Sequence, residues 1–413
     1  GNALATALQK DIGSLSPAER SQLREYYLSN FDERHLQLTR QLGDLRARQR
    51  DLVNPIPELM VMEEMSDPRP TYLLVRGAYD QRSERIYPET PHSILGFADN
   101  LPRNRLGLAR WLTDPKNPLT ARVAVNRYWQ MMFGSGLVDP PNDFGSQGSA
   151  PTHPKLLDWL ALRYIESDWD TKELLRLIAS SSTYRQSSRA SPQLRERDPK
   201  NRLLARGPKQ RLTAEMIRDS ALSVSGLLVN RLGGQPVRPY QPPGLWKEKR
   251  PEVVYETGKG DDLYRRSLYT IWKRTSPPPA MIAFDAPRRS VCTVHRQQTG
   301  TPLQALVLLN DPQYVEAARL LAERMLREGG QSLKEQIKFA FRLTIGRDPS
   351  DQELQSLSQL YRAQFDLFKD HPDDVKRLLS VGDKTVDSTI DPTQLAAQTI
   401  VASTLFSMDE FVT

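Results

Sequence analysis

Two stretches, NRLLARGPKQRLTAEMIRD (201–219) and RRSVCTVHRQQTGTPLQALVLLND (288–311), decide the reading of this chain. Each runs a cluster of Arg, Gln, Glu or His straight into an apolar segment. A helix on its way into a core normally sheds charge, because an unpaired buried charge costs several kcal/mol. These charges therefore either pair inside the fold or line a cleft. The helices locate the core, and the polar clusters beside them locate a candidate site.

Helix signals continue on both sides of these stretches. Asn117-Pro118 predicts a helix running to Phe133 and stopping at Gly134. His153-Pro154 starts the next, and Asp170 caps another through Leu177. Thr301-Pro302-Leu303-Gln304 and Ser332 with Glu335 have the spacing of capping boxes, while Asp311-Pro312, Ser350 with Glu353, and Asp391-Pro392 open three more helices. The segment 229–300, rich in Pro, Gly and Tyr, is expected to run extended over the surface.

Upstream, Ser16-Pro17-Ala18-Glu19 starts a helix or helical hairpin carrying Leu23, Tyr27, Leu38, Leu42, Leu45 and Leu52, expected to pack on one face and end at Asn54-Pro55-Ile56-Pro57. Met60-Val61-Met62 and Thr71 to Gly77 read as short strands separated by Asp67-Pro68-Arg69-Pro70. Two strands make no stable sheet alone, so they are expected to complete an upstream or partner β-domain. The predicted fold is mainly α. A helical segment (1–57) and short strands with a linker (58–100) precede a multi-helix domain (101–413) with an irregular insertion at 229–300.

Composition narrows the function classes. No apolar run is long enough to span a membrane. The single cysteine, Cys292, excludes an internal disulfide, a cysteine-based zinc site and a C-x-x-C-H haem attachment within the chain. Inside VCTV it is expected to be a buried packing residue. The net charge of +7 permits acidic partners, but basic residues are interspersed with acidic ones and no aromatic-and-basic module appears. That argues against nucleic acid. The N-terminal GNALATALQKDIG lacks a signal-peptide pattern, so the protein is cytoplasmic or lost an export signal upstream. No nucleophile elbow, phosphate loop, dinucleotide fingerprint or H-E-x-x-H motif occurs.

Candidate site residues fall in four groups. On the helix ending at Phe133, Arg122, Asn126 and Trp129-Gln130 lie near one face. Asn126 and Arg127 either hold a sugar hydroxyl or carboxylate or tie the helix to a loop. Trp129 either stacks on a sugar or fills the core. In the loop DFGSQG, Asp143 is a candidate acid/base partner of His153 or, with loop carbonyls, a calcium ligand, while His153 reads equally as a helix cap. Arg211, Glu215, Arg218 and Asp219 share a helical stripe, predicting Arg211–Glu215 and Glu215–Arg218/Asp219 contacts. Finally, Asp285, Arg288, Arg289, His295 and Arg296 precede the helix at Thr301, a setting for a sulfate, carboxylate or haem propionate or, alternatively, for pairing with the Glu215/Asp219 stripe.

The stretches NPLTARVAVNRYWQMMFGSGLV, DFGSQGSAPTHPKLLDWLA, SSTYRQSS, NRLLARGPKQRLTAEMIRD, YQPPGLW, LYRRSLYTIWKRTSPPP and TPLQALVLLNDPQYVEAA carry a resemblance from about Arg103 to Gly346. Together they resemble the planctomycete-specific C-terminal domain known as domain of unknown function 1553. The resemblance implies a periplasmic or cell-surface polypeptide, frequently accompanied by a cytochrome-c-like domain and encoded near glycan-degrading enzymes. Haem c would then sit on an upstream segment or a partner.

Two functions follow from it. The first is a cytochrome-linked oxidoreductase or processing enzyme for complex glycans. Arg127, Arg218 and Arg296 would bind substrate, and Asp143, His153, Glu215 or His295 would move protons. The second is a non-catalytic module that docks a cytochrome domain or surface glycan. Convergence of His153, Glu215, Arg218 and His295 on one pocket favours the enzyme; dispersal, with each charge paired locally, favours the module.

Overall fold

The computed structural model describes residues 2–56, 58–247 and 254–413. The chain divides into two compact units, 1–89 with 102–106, and 90–101 with 107–413.

The first unit is a helical hairpin followed by a β-ribbon. Helix α1 (Pro17–Asn30) starts at a capping box between Ser16 and Glu19, and α2 (Glu33–Val53) starts where Asp32 accepts from the His35 amide at 2.7 Å. The expectation that this segment packs on one face is corrected, because no residue of either helix is buried. Two long helices, the short helix Asn2–Leu8 and a ribbon supply too little surface to enclose the leucine stripe. Strand β1 (Thr71–Leu74) pairs antiparallel with β2 (Arg82–Ile86), Thr71 opposite Ile86. Met60 to Met62 form no strand and lie exposed. Sequence reading missed β2, since RSERI carries no apolar alternation and every residue of it is exposed.

The second unit is helical and holds the core. Helices α3 (Thr120–Phe133), α4 (Pro154–Glu166) and α5 (Thr171–Ser180) close around Val125, Trp129, Phe133, Leu157, Leu160 and Ile178. The main core joins α6 (Ala214–Val224), α7 (Pro302–Asn310), α8 (Pro312–Glu328), α9 (Leu333–Ile345), α10 (Asp351–Asp370) and α12 (Pro392–Phe406). Helix α11 (Pro372–Leu379) packs Val375 and Leu379 with Ala322 of α8 and Leu395 of α12. Helix α12 is buried along most of its length, and its Ala, Thr and Ser residues let neighbouring backbones approach closely.

Local signals placed most helix starts correctly. Asp170, Asp311 and Asp391 cap α5, α8 and α12, and the Ser332–Glu335 and Ser350–Glu353 capping boxes form. Thr301 departs from expectation. Its side chain makes no cap bond, and Gln304 instead donates to the Ala283 carbonyl and the Thr299 hydroxyl at 3.0 and 3.3 Å.

The insertion 229–300 is a second correction. It does not simply run over the surface: Leu263, Tyr264, Arg265, Ser267, Met281 and Phe284 are buried. Its apolar residues are too few to show a period, yet they fill the space beside α6 and α8. Cys292, expected to be buried, is exposed. Nothing packs over VCTV, and residues 288–300 all lie exposed.

Candidate functional site

The stretch 201–219 is shaped before it reaches α6. Buried Asp198 accepts from the amides of Arg202 and Leu203 at 2.8 and 2.7 Å, and Asn201 brackets Arg206 from both sides. Gln210 then donates to the Met131 carbonyl at the end of α3 (2.6 Å), and Leu212 pairs with Val412 near the C-terminus. Thr213 caps α6, so Glu215 lies in its first turn.

The second stretch reaches the same place from the other side. Asp285, in a left-handed conformation (φ 59°), accepts from the Thr299 amide and hydroxyl at 2.7 and 2.8 Å, closing 285–299 as a loop. Its arginines are anchored: the Trp272 ring nitrogen donates to the Arg288 carbonyl, and Arg289 stacks 4.4 Å above the Trp272 ring. Arg296 donates to Glu215 at 2.7 Å, and His295 Nδ1 lies 2.7 Å from the Gln130 amide. Gln298 donates to the Arg211 carbonyl.

Five of the predicted site residues therefore gather around one loop: Arg211, Glu215, Asp285, His295 and Arg296. The other six lie in different settings. Asn126 is fully buried, and both of its amide atoms bond Val138 at 2.9 Å, so it ties α3 to the following loop. A Cβ at Gly136 would overlap that amide, which explains the glycine. Trp129 is buried and stacks on Phe133 at 4.2 Å. Arg127 is exposed. Asp143 accepts from the Gly145 amide in its own loop, and His153 lies 3.0 Å from the Thr152 hydroxyl without capping α4. No bond among the described residues joins Asp143 or His153 to each other or to Glu215.

Arg218 turns away from Glu215. It is buried and donates to the carbonyls of Arg265 and Leu263, to Ser267 and to Gln313, all between 2.7 and 3.1 Å. Asp219 goes the same way, accepting from the Ser267 amide at 2.8 Å. The spacing-based contacts between Glu215 and its helix neighbours do not form among the described residues, because stronger partners from distant loops take each side chain.

The electrostatics of the cluster are those of paired groups. Burial pushes the Glu215 carboxyl up, but the Arg296 hydrogen bond, with help from backbone and Thr213, outweighs it and holds the group below its ordinary 4.5. A depressed carboxylate stabilises the fold above its unfolded pKa, and that stability is lost as pH falls through the folded value. The Arg296 anchor should therefore hold at neutral pH and release in acid. A fluorophore on Cys292 checks this: its anisotropy should drop as pH falls below 4.5. Glu215→Gln should give the low anisotropy at every pH. A flat pH profile with Glu215 intact would refute the anchor.

Beneath the loop, Arg211, Asp285, Arg296 and Gln304 line a cavity of about 20 Å³, room for one water. Arg211 Nε and Gln304 Oε1 have no partner there among the described residues. A sugar ring does not fit this space. A larger cavity, about 350 Å³, opens beside residues 231–237, where the Arg231–Asp262 pair (3.1 Å) forms part of the lining. Buried Arg265 underlies that loop, donating to the carbonyls of Arg231, Gly233 and Gln235 and stacking 3.8 Å over Tyr269. Sequence reading missed Arg265, although LYRRSLY does place two arginines among apolar neighbours. Among the described residues, no three His, Cys, Asp or Glu side chains gather to hold a metal ion.

Comparison with family models gives one decisive match. The model described as "PSD1: Protein of unknown function (DUF1553)" covers residues 104–361, more than half of the chain. The chain belongs to the DUF1553 family. Searches of curated proteins and of solved structures found no match. The DUF1553 match takes in both polar stretches that gather around the loop, and also the Arg218 and Arg265 hubs.

Proposed function

We propose that this chain is a docking module of an extracytoplasmic, cytochrome-associated protein, and that its basic loop receives the acidic face of a cytochrome-c-like domain. The observation that carries this reading is the composition of the loop's exposed surface. From 288 to 300, where every residue is exposed, it holds Arg288, Arg289, His295 and Arg296 and no acid. It leads into α7, whose Leu303, Leu306 and Leu309 are 57%, 55% and 46% exposed while Gln304 and Leu308 face the core. A basic rim beside an apolar face suits a protein partner, because charge steers the encounter and apolar burial supplies affinity.

Pairing within the cluster supports docking over catalysis. Glu215 is neutralised by Arg296, His295 is engaged by Gln130, and Asp285 is spent on Thr299. None of them is placed as a free general acid or base. With one cysteine the chain has no thioether attachment for haem, so the proposal puts haem on the partner.

Binding to a small acidic c-type cytochrome, measured by interferometry at low and physiological salt, tests the reading. The intact chain should bind and weaken with salt. Arg288→Glu/Arg289→Glu and Leu306→Asp should each weaken binding by about tenfold or more. Affinity that ignores both variants, or no binding at any salt concentration, would reject the proposal.

A second reading, a site for complex glycans, draws on the larger cavity. Paired Arg231 and Asp262 beside a space of about 350 Å³ offer donors and acceptors to a polyhydroxylated ligand. Under that reading the loop variants above leave glycan binding unchanged.

A further inference from the structure

Helix α2 carries a seam that neither core absorbs. His35, Leu38, Leu42, Leu45, Gln49 and Leu52 follow alternating spacings of three and four residues across its 21 residues. These are the a and d positions of three heptads, with Leu at every d position. All six are exposed, the leucines by 56%, 48%, 60% and 74% in chain order. Polar Gln49 occupies an a position, where a polar group fixes register at some cost in stability.

The flanks of the seam are basic. Arg34 and Arg48 stand at g positions and Arg46 at an e position, while Gln41, Thr39 and Val53 fill the others. The acids of the helix, Glu33, Asp44 and Asp51, fall at f and c positions on the outer side. None of the three flanking arginines forms an ion pair among the described residues, and all are exposed. A second copy of this helix offers no acid to these flanks in either orientation.

The geometry points to α2 as one half of a heterotypic coiled coil whose other half is an acidic amphipathic helix of a different polypeptide. Leucines of that helix would interlock with Leu38, Leu42, Leu45 and Leu52, and its Glu or Asp at flanking positions would pair with Arg34, Arg46 and Arg48. This surface lies outside the docking loop and does not depend on it.

Fluorescence anisotropy with two labelled helical probe peptides tests it on the full chain. Both peptides carry Leu at a and d; one has Glu and the other Lys at e and g. The Glu peptide should bind at least about tenfold more tightly than the Lys peptide. Leu42→Asp/Leu45→Asp should abolish binding, and Arg46→Glu/Arg48→Glu should reverse the preference. Circular dichroism and thermal melting, expected unchanged for these exposed positions, confirm that the variants fold. Equal binding of both peptides, or binding that survives the Leu42/Leu45 variant, would overturn the proposal. So would sedimentation of the chain alone as a dimer that this variant dissociates, since a second copy would then own the seam.

Discussion

Glu316→Ala is expected to destabilise the second unit by roughly 3–5 kcal/mol, much of the stability of an ordinary domain. Glu316 sits in the second turn of α8 and is fully buried. It accepts from Tyr264 and Tyr240 hydroxyls at 2.8 and 3.0 Å, and from the amides of Asp383 and Lys384, both at 2.8 Å. Removing the carboxylate strands the buried Tyr264 hydroxyl and three part-buried donors at once and opens a cavity. The tyrosines are committed donors, since burial together with the neighbouring Glu316 charge holds both hydroxyls well above their ordinary range.

Two further substitutions sharpen that expectation. Three of the four donors meet Oε1, so Glu316→Gln can keep them with its amide oxygen there and face Tyr240 with its NH₂. Its cost should be smaller, about 1–2 kcal/mol. Gly382→Ala should resemble Glu316→Ala, because a Cβ there would overlap the Glu316 carboxyl group and Gly382 has φ 99°. Urea unfolding followed by circular dichroism measures all three. Glu316→Ala within about 1 kcal/mol of the parent would remove Glu316 as the hub.

The sequence hid this hub for a physical reason. Glu316, Arg319 and Glu323 have the spacing of surface ion pairs on a solvated helix face, and Arg319 does pair with Glu323 at 3.0 Å. The face is buried because residues around 240, 264 and 383, far away in the chain, fold over it. Caps were legible because Asp170, Ser332, Ser350 and Asp391 act on amides two or three residues away. The loop cluster was legible in part, since Glu215 and Arg296 each stand beside a helix start. Asn126 and Arg218 were misleading for the opposite reason. A buried polar residue and a binding residue look alike in sequence until their distant partners, Val138 for one and the 263–267 segment for the other, are known.

Arg218→Met makes that distinction measurable, with an expected loss of roughly 3–5 kcal/mol. The guanidinium alone reaches the carbonyls of Leu263 and Arg265, the Ser267 hydroxyl and Gln313, with Asp219 3.9 Å away. It therefore staples α6 to the insertion and to the start of α8. Methionine fills much of the volume yet leaves those acceptors buried without donors, and among the described residues it leaves Asp219 with Arg266, at 3.6 Å, as its ion-pair partner. Lysine should fare little better, because one ammonium cannot reproduce a planar fork that serves several acceptors at fixed angles. Glu215→Gln, on the same helix but aimed at the loop, should cost far less and change loop motion instead. If Arg218→Met melted like the parent chain while abolishing binding to the cytochrome probe, Arg218 would belong to the docking surface and the staple would be wrong. Two charges three residues apart on α6 would then serve one ligand, as their spacing alone had implied; the bonds each makes assign one to the core and the other to the loop.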